Sequence, residues 1–292
     1  MNLELEKYLK KNSSRHHYIP QFLISGFVNA EGEVFIYDKQ KDKIQNKPRP
    51  PKAIFFEWDR NTIVLPDKTE SSILEDLLFK EIDDIGSDVV KYFKDTDLEK
   101  IKFTDDNIAQ FLFFLICLFW RIPKTDFAVN QLVKNADIKI KGVDSEVLRN
   151  SEAFQKSQRS GIIRHTIKEI VSNQESFKKF VNIHQIHKDI LVIGDNPLLY
   201  RKLSPEFSSF GREDFLMAVS SNRIFSSTKD NLGTLTMTNA IAYNTAVIHQ
   251  SVRFICCGNL EVLTKSVDTY KTICEKGLTI GLEEVPFIVY KK

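Results

Sequence analysis

The chain has 292 residues, with 42% hydrophobic, 27% charged and 11% aromatic side chains, the composition of an ordinary globular protein with a folded core. Its 41 Lys and Arg against 39 Asp and Glu leave a formal charge of +2, which excludes a supercharged binder and gives no global argument for nucleic acid or membrane. The longest apolar run, Phe111 to Trp120, is half of the roughly 20 residues that span a bilayer, and no signal-peptide segment opens the chain. The expectation is a soluble cytoplasmic protein with no membrane partner. Cys117, Cys256, Cys257 and Cys274 form no CxxC pair, so they are expected to stay reduced and to hold no zinc.

In chain order, the spacing predicts a short helix over Gln21 to Phe27, with Pro20 presetting its first turn. Strands follow at Glu33 to Tyr37 and Ala53 to Trp58, β-branched and aromatic, separated by the Pro-rich Lys47 to Pro51 loop and expected to be neighbours or a hairpin. Asp67 with Glu70 three later has capping-box spacing before an apolar stripe at Ile73, Leu74, Leu77, Leu78, Ile82, Ile85, Val89 and Phe93. A central helix starts near Thr104, apolar nearly all round, and stops at Pro123. Further helices are expected at Phe127 to Ile138, Ser151 to Ser172 and Glu175 to Val181. The last third predicts strands at Ile183 to Ile193, Phe215 to Val219 and Arg223 to Ser226, with a turn at Gly194-Asp195-Asn196-Pro197. Helices at Leu235 to Phe254 and Leu260 to Lys276 and a closing strand at Val285 to Tyr290 complete the pattern. The fold class this implies is α+β, a single domain over 1–292. A mixed or antiparallel sheet from the two terminal thirds packs on a helical middle at 67–182.

Several of these segments together resemble a known family. Arg15-His16-His17-Tyr18-Ile19-Pro20-Gln21-Phe22-Leu23-Ile24-Ser25-Gly26-Phe27 is similar to the HHYxPxFxLxxF signature of the bacterial domain-of-unknown-function family DUF4238. Glu33 to Lys39, Pro51 to Asp59 and Phe119 to Pro123 (FWRIP) look like that family's following segments. Gly194 to Pro197 looks like its serine-aspartate-asparagine-proline turn with Gly194 in the serine's place, and Asn244 with Arg253 nine later like its C-terminal helix. The resemblance covers most of the chain and implies single-domain integrity more than any mechanism.

Two chemistries compete for these residues. His16 and His17 titrate near neutrality, and in an extended segment they face opposite sides, so one of them enters any single site. The string HHYIP is similar to the first strand of HNH-type nucleases, but an apolar PQFLISGF follows His17 and Asn29 precedes a strand. The first reading is a hydrolase acting on a phosphodiester or nucleotide, with His17, His16 and Asp195 catalytic and a divalent metal as a candidate cofactor. Tyr18, Gln21, Arg121, Asn196, Asn244 and Arg253 would then bind substrate. The second is a binding or interaction module, of a kind used in bacterial defence or stress response, in which HHYIPQ is a latch and Asp195 and Asn196 form a turn. Arg121 in that reading caps its helix, and His184 and His187 make a poor metal pair because they point to opposite faces of a strand. The basic stretch Lys39 to Lys52 beside Phe55, Phe56 and Trp58 fits a nucleic-acid contact or an exposed hairpin tip. No Walker A, GxGxxG, GxSxG or HExxH pattern is present.

Overall fold

The computed structural model describes residues 14–64, 69–136, 145–171, 181–201, 214–228 and 235–289. Strand β1 (Arg15–His17) leads to the single-turn helix α1 (Gln21–Ile24), whose Leu23 and Ile24 N–H groups donate to the Pro20 carbonyl and whose Leu23 and Ile24 side chains are buried. Strands β2 (Phe35–Asp38) and β3 (Lys43–Ile44) form an antiparallel hairpin, and β4 (Phe56–Trp58) pairs with β1. The expected neighbours β2 and β4 therefore lie in different sheets. The cause is local: a 3-10 turn at Pro51–Ala53 and a left-handed Phe55 (φ 57) swing the chain away from the first sheet before β4 begins.

Short strands β5 (Ile63–Val64) and β6 (Glu70–Ser71) pair with each other, so Glu70 caps no helix; Asp67 lies outside the described residues. The Ser72 carbonyl accepts the Glu75 and Asp76 N–H groups and its hydroxyl donates to the Asp76 carboxylate, so the helix starts without a side-chain cap. A π-helical turn (Leu74–Phe79) then runs into α2 (Lys80–Asp95), which buries Ile82, Val89 and Phe93 and leaves Ile85 at the surface. Thr104 and Asn107 form a reciprocal capping box at the start of α3 (Asp105–Arg121), the central helix, which ends just before Pro123. A Cβ at Gly86 would sit 2.5 Å from the Phe114 ring, so only glycine lets α2 cross α3 this closely. Helices α4 (Asp126–Asn135), α5 (Ser145–Asn150) and α6 (Glu152–Val171) complete the middle.

The helix expected over Glu175 to Val181 falls outside the described residues except for Val181, which opens β7 (Val181–Gln185). The C-terminal part adds β8 (Ile193–Gly194), β9 (Leu199–Tyr200), β10 (Phe215–Ser220), β11 (Arg223–Ser227), helix α7 (Met237–Gln250), β12 (Phe254–Cys257), helix α8 (Leu260–Glu275) and α9 (Val285–Val289). Helix α7 stops at Gln250 because Lys39 Nζ gathers the last carbonyls, those of Ile248, His249 and Ser251, at 2.8–3.0 Å, which releases Phe254 into β12. The expected closing strand is helix α9: Pro286 sits in its first turn, where proline favours a helix, and Phe287 is fully buried.

Two four-stranded sheets result, ordered β3-β2-β12-β8 and β7-β11-β10-β9, with antiparallel pairing throughout. The first draws on both ends of the chain, as an α+β fold with shared terminal thirds requires. The helical middle joins the second through aromatic contacts: Phe111 lies 4.2 Å from Phe225 and 5.2 Å from Phe93 between ring centroids. Each such ring removed from water contributes about 1.5–3 kcal/mol.

Candidate functional site

The HHYIP segment acts first on its neighbour in the ladder. Register places Arg15 opposite Trp58, His16 opposite Glu57 and His17 opposite Phe56. His16, 1% exposed, accepts the Asn61 backbone N–H on Nδ1 at 2.9 Å and meets the Ser14 hydroxyl through Nε2 at 2.7 Å. Ser14 N–H donates to the Asp59 carboxylate and Asp59 N–H to the Ser14 carbonyl. Asp59 itself is left-handed (φ 56) and closes a turn onto Thr62 N–H. Two histidine nitrogens thus hold the turn that carries Arg60.

His17 points the other way, with its ring 5.7 Å from Phe56. Burial first, then the Arg121 charge, pushes its pKa down to about 4 from 6.5, against a smaller opposing contribution from the Lys52 backbone, and its Nε2 has no hydrogen-bond partner. His17 is therefore neutral at physiological pH. Tyr18 is buried, its ring 5.9 Å from the Arg60 guanidinium, and burial followed by the Asp195 charge raises its pKa. Gln21 is exposed on α1, where its carbonyl accepts the Ser25 hydroxyl.

Arg121, 2% exposed, bonds Asp83 at 2.6 Å through Nη1, faces Glu75 at 3.8 Å, and stacks over Phe79 at 4.7 Å. Glu75 also accepts Asn61 Nδ2 at 2.7 Å, which ties this ion cluster to the His16 turn. The Arg121 carbonyl accepts Arg60 Nε at 3.0 Å. From there Arg60 spreads its guanidinium onto Glu57 and, by both Nη atoms, onto Asp126. Arg159 of α6 reaches the same Asp126 oxygen at 2.6 Å, while its Nε and Nη1 have no acceptor.

These side chains line an open cleft of about 400 Å³ whose wall includes Glu57, Trp58, Arg60, Asp126, Lys156 and Arg159. Three cations face two carboxylates there. The Arg60 and Arg159 side chains are only 5% and 8% exposed, whereas Glu57 and Asp126 are 46% and 39% exposed, so the buried charge at the wall is positive. Burial, then the Arg60 charge, brings the Arg159 pKa down to about 10, against the opposing Asp126 and Glu57 charges. Sequence reasoning missed Arg60, Asp126, Lys156 and Arg159; the available signal was Asp59-Arg60 directly after the strand ending at Trp58, and Asp126 just past the Pro123 helix stop.

The C-terminal candidates assemble elsewhere. Asp195, at the end of β8, accepts the backbone N–H groups of Val252, Arg253 and Phe254 at 2.6–2.8 Å, using both oxygens. Burial raises its pKa, opposed by those bonds and by Lys39. No hydrogen bond connects Asp195 to His17. Asn196 is buried and its carbonyl accepts Gln250 Nε2 at 2.6 Å. Arg253 lies beyond α7, 3.2 Å from Asp38 and 4.4 Å over Phe254. Asn244, 3% exposed, accepts Val192 N–H and donates to the Ile190 carbonyl and the Ser266 hydroxyl. The structure thus links His16 and Arg121 to each other through Asn61 and Glu75, and Arg121 to the cleft-wall residue Arg60 through its carbonyl; Asp195, Asn196 and Arg253 lie at the β8–β12 junction, and Tyr18 is within electrostatic reach of Arg60 and Asp195. Among the described residues no set of three or more His, Cys, Asp or Glu side chains is arranged to hold a metal ion.

No curated protein and no solved structure gives a match to this chain. A family model described as a protein of unknown function, DUF4238, matches residues 15–259, a span that starts at the first residue of β1 and ends at the N-cap of α8. The chain belongs to the DUF4238 family.

Proposed function

We propose that this protein binds a phosphate ester in the cleft between β4, α4 and α6, with Arg60, Lys156 and Arg159 as the anion contacts and the HHYIP strand as the latch that sets Arg60 in place. The observation that carries this reading is Arg159: a guanidinium 8% exposed, at the wall of an open cleft, with two enclosed nitrogens that have no acceptor. Buried charged donors left unmade cost more than neutral ones, and a phosphoryl group matches the guanidinium fork. Arg60, its fork engaged by Glu57, Asp126 and the Arg121 carbonyl, supplies a second positive charge at the wall. The test is a thermal-shift panel of phosphate esters and matched non-phosphorylated alcohols. Phosphate esters raise Tm in the wild type and fail to do so in Arg159→Met, where Asp126 keeps its Arg60 partner and the fold survives.

Hydrolysis of the bound ester is the second reading. His17 bears on it through a neutral imidazole on the sheet face that carries Trp58, but its Nε2 is buried and the residue does not line the cleft. Asp195 supports that reading less, its carboxylate being taken up by backbone. Loss of product release in His17→Ala with unchanged ester binding is the expected mark of a hydrolase; ester binding with no turnover in the wild type leaves the binding domain.

A further inference from the structure

We infer that the ligand of this cleft is a nucleotide unit, its base stacked on Trp58 while its phosphate meets Arg60 and Arg159; this rests on the phosphate-ester reading above. Trp58 lines the same cleft as the two arginines, so one small molecule can reach indole and guanidinium together. It is 57% exposed, although an indole hidden from water would contribute about 1.5–3 kcal/mol on the scale of other large apolar side chains. The exposed ring is held in place. It meets Phe56 edge to face at 6.0 Å, with planes 89° apart, and the Arg15 guanidinium sits 5.2 Å from its centroid. The Arg15↔Trp58 register fixes that cation over one face of the ring, so a base would stack on the opposite face. A rigid aromatic face at the rim of a cationic cleft is the pairing that recognises a base and its phosphate at once, and it tolerates any base because each presents a π-face. Inorganic phosphate would leave the indole unused, and a sugar phosphate offers it no π-face.

The two sources of such a unit are a free nucleotide and a single strand of nucleic acid. The experiment uses the intrinsic fluorescence of the full chain. Of its two tryptophans, Trp120 is fully buried with its Nε1 donating to Thr166, so quenching by added ligand reports Trp58. AMP, UMP, ribose 5-phosphate and a short single-stranded oligonucleotide are titrated, with affinities measured in parallel by calorimetry. AMP and UMP are expected to quench Trp58 saturably and to bind at least about fivefold tighter than ribose 5-phosphate, the lower end for base–aromatic stacking. Trp58→Ala, a change at an exposed side chain, is expected to make AMP and ribose 5-phosphate bind alike, and Trp58→Phe to restore most of the difference. An oligonucleotide that binds tighter than AMP assigns the source to a strand, and the reverse order to a free nucleotide. Equal binding of AMP and ribose 5-phosphate by the wild type, without quenching, overturns the base-stacking inference and leaves the phosphate site standing. Failure of every phosphate to bind overturns both.

Discussion

Arg60 and Arg159 close on the same oxygen of Asp126, each through Nη2 at 2.6 Å. One carboxylate oxygen therefore serves two buried cations that approach from β4 and α6, and neither is neutralised by it alone. Replacing Asp126 by Asn leaves both guanidiniums under-compensated. The expected cost is about 1–3 kcal/mol, below the range for a fully buried pair because Asp126 is partly exposed. A bound phosphate ester should recover more stability in Asp126→Asn than in the wild type, since the anion supplies the missing charge. Urea unfolding with and without ester checks both statements; equal recovery in the two proteins contradicts the role given to the arginines.

His16 positions Arg60 without touching a ligand. Removing its ring in His16→Ala frees the Asn61 N–H and the Ser14 hydroxyl, and is expected to cost about 1–3 kcal/mol. Ester affinity should fall with it although Arg60 and Arg159 are intact. A variant that loses stability but keeps full affinity would show that the latch and the cleft are independent.

Asp195 gathers three backbone N–H groups from the strand entering β12. Asp195→Asn turns one acceptor into a donor facing N–H, and is expected to destabilise by about 3 kcal/mol. Ester binding per folded molecule should not change, because this junction contributes no wall to the cleft. Denaturation paired with calorimetry separates the two; a loss of binding without loss of stability would restore Asp195 to the site.

The histidine at 17 gives a pH signature with a definite sign. Its folded pKa of about 4 lies below 6.5, so between those values the unfolded chain takes up a proton that the folded one does not. Its contribution to stability is present above pH 6.5 and is lost as pH falls toward 4. Asp83 and Asp195, whose pKa values are raised by burial, act in the opposite sense in acid, so the readout is the difference between wild type and His17→Gln. The variant should lose less stability on acidification through that window. A parallel fall in the two proteins contradicts the assignment.

Gly194 stands where the resembled turn carries serine, and the structure supplies the reason: a Cβ there would lie 2.0 Å from Ser251 Oγ, which donates to the Val247 carbonyl. Gly194→Ser is expected to destabilise by about 1–3 kcal/mol through overpacking. Adding Ser251→Ala should recover part of the loss. A double-mutant cycle with no coupling would show that the crowding is relieved elsewhere.

Local signals made much of the fold legible. Thr104 and Pro123 bound α3 within a few residues, and the strands read at Phe215 and Arg223 form the hairpin β10–β11. Pairing over long separations is less visible, which is why Glu33 to Tyr37 is expected beside Ala53 to Trp58 when its partners are the adjacent β3 and, more than two hundred residues away, β12. The same limit applies at the cleft. Sequence singled out His16, His17 and Arg121 from their local context, but Arg60, Asp126 and Arg159 converge only after three distant segments pack, and no one of those segments announces it. Asp195 was recognisable as a strand-end carboxylate; its three donors, 57 to 59 residues further along, were not.

The most direct test of the cleft is a calorimetric titration of AMP into the wild type and Arg159→Met at low and moderate salt. The account predicts saturable binding by the wild type, weakened at least about tenfold in the variant, as expected for loss of one charge-assisted contact, and weakened further by salt. Equal affinity in the two proteins, or no heat of binding to either, would contradict it.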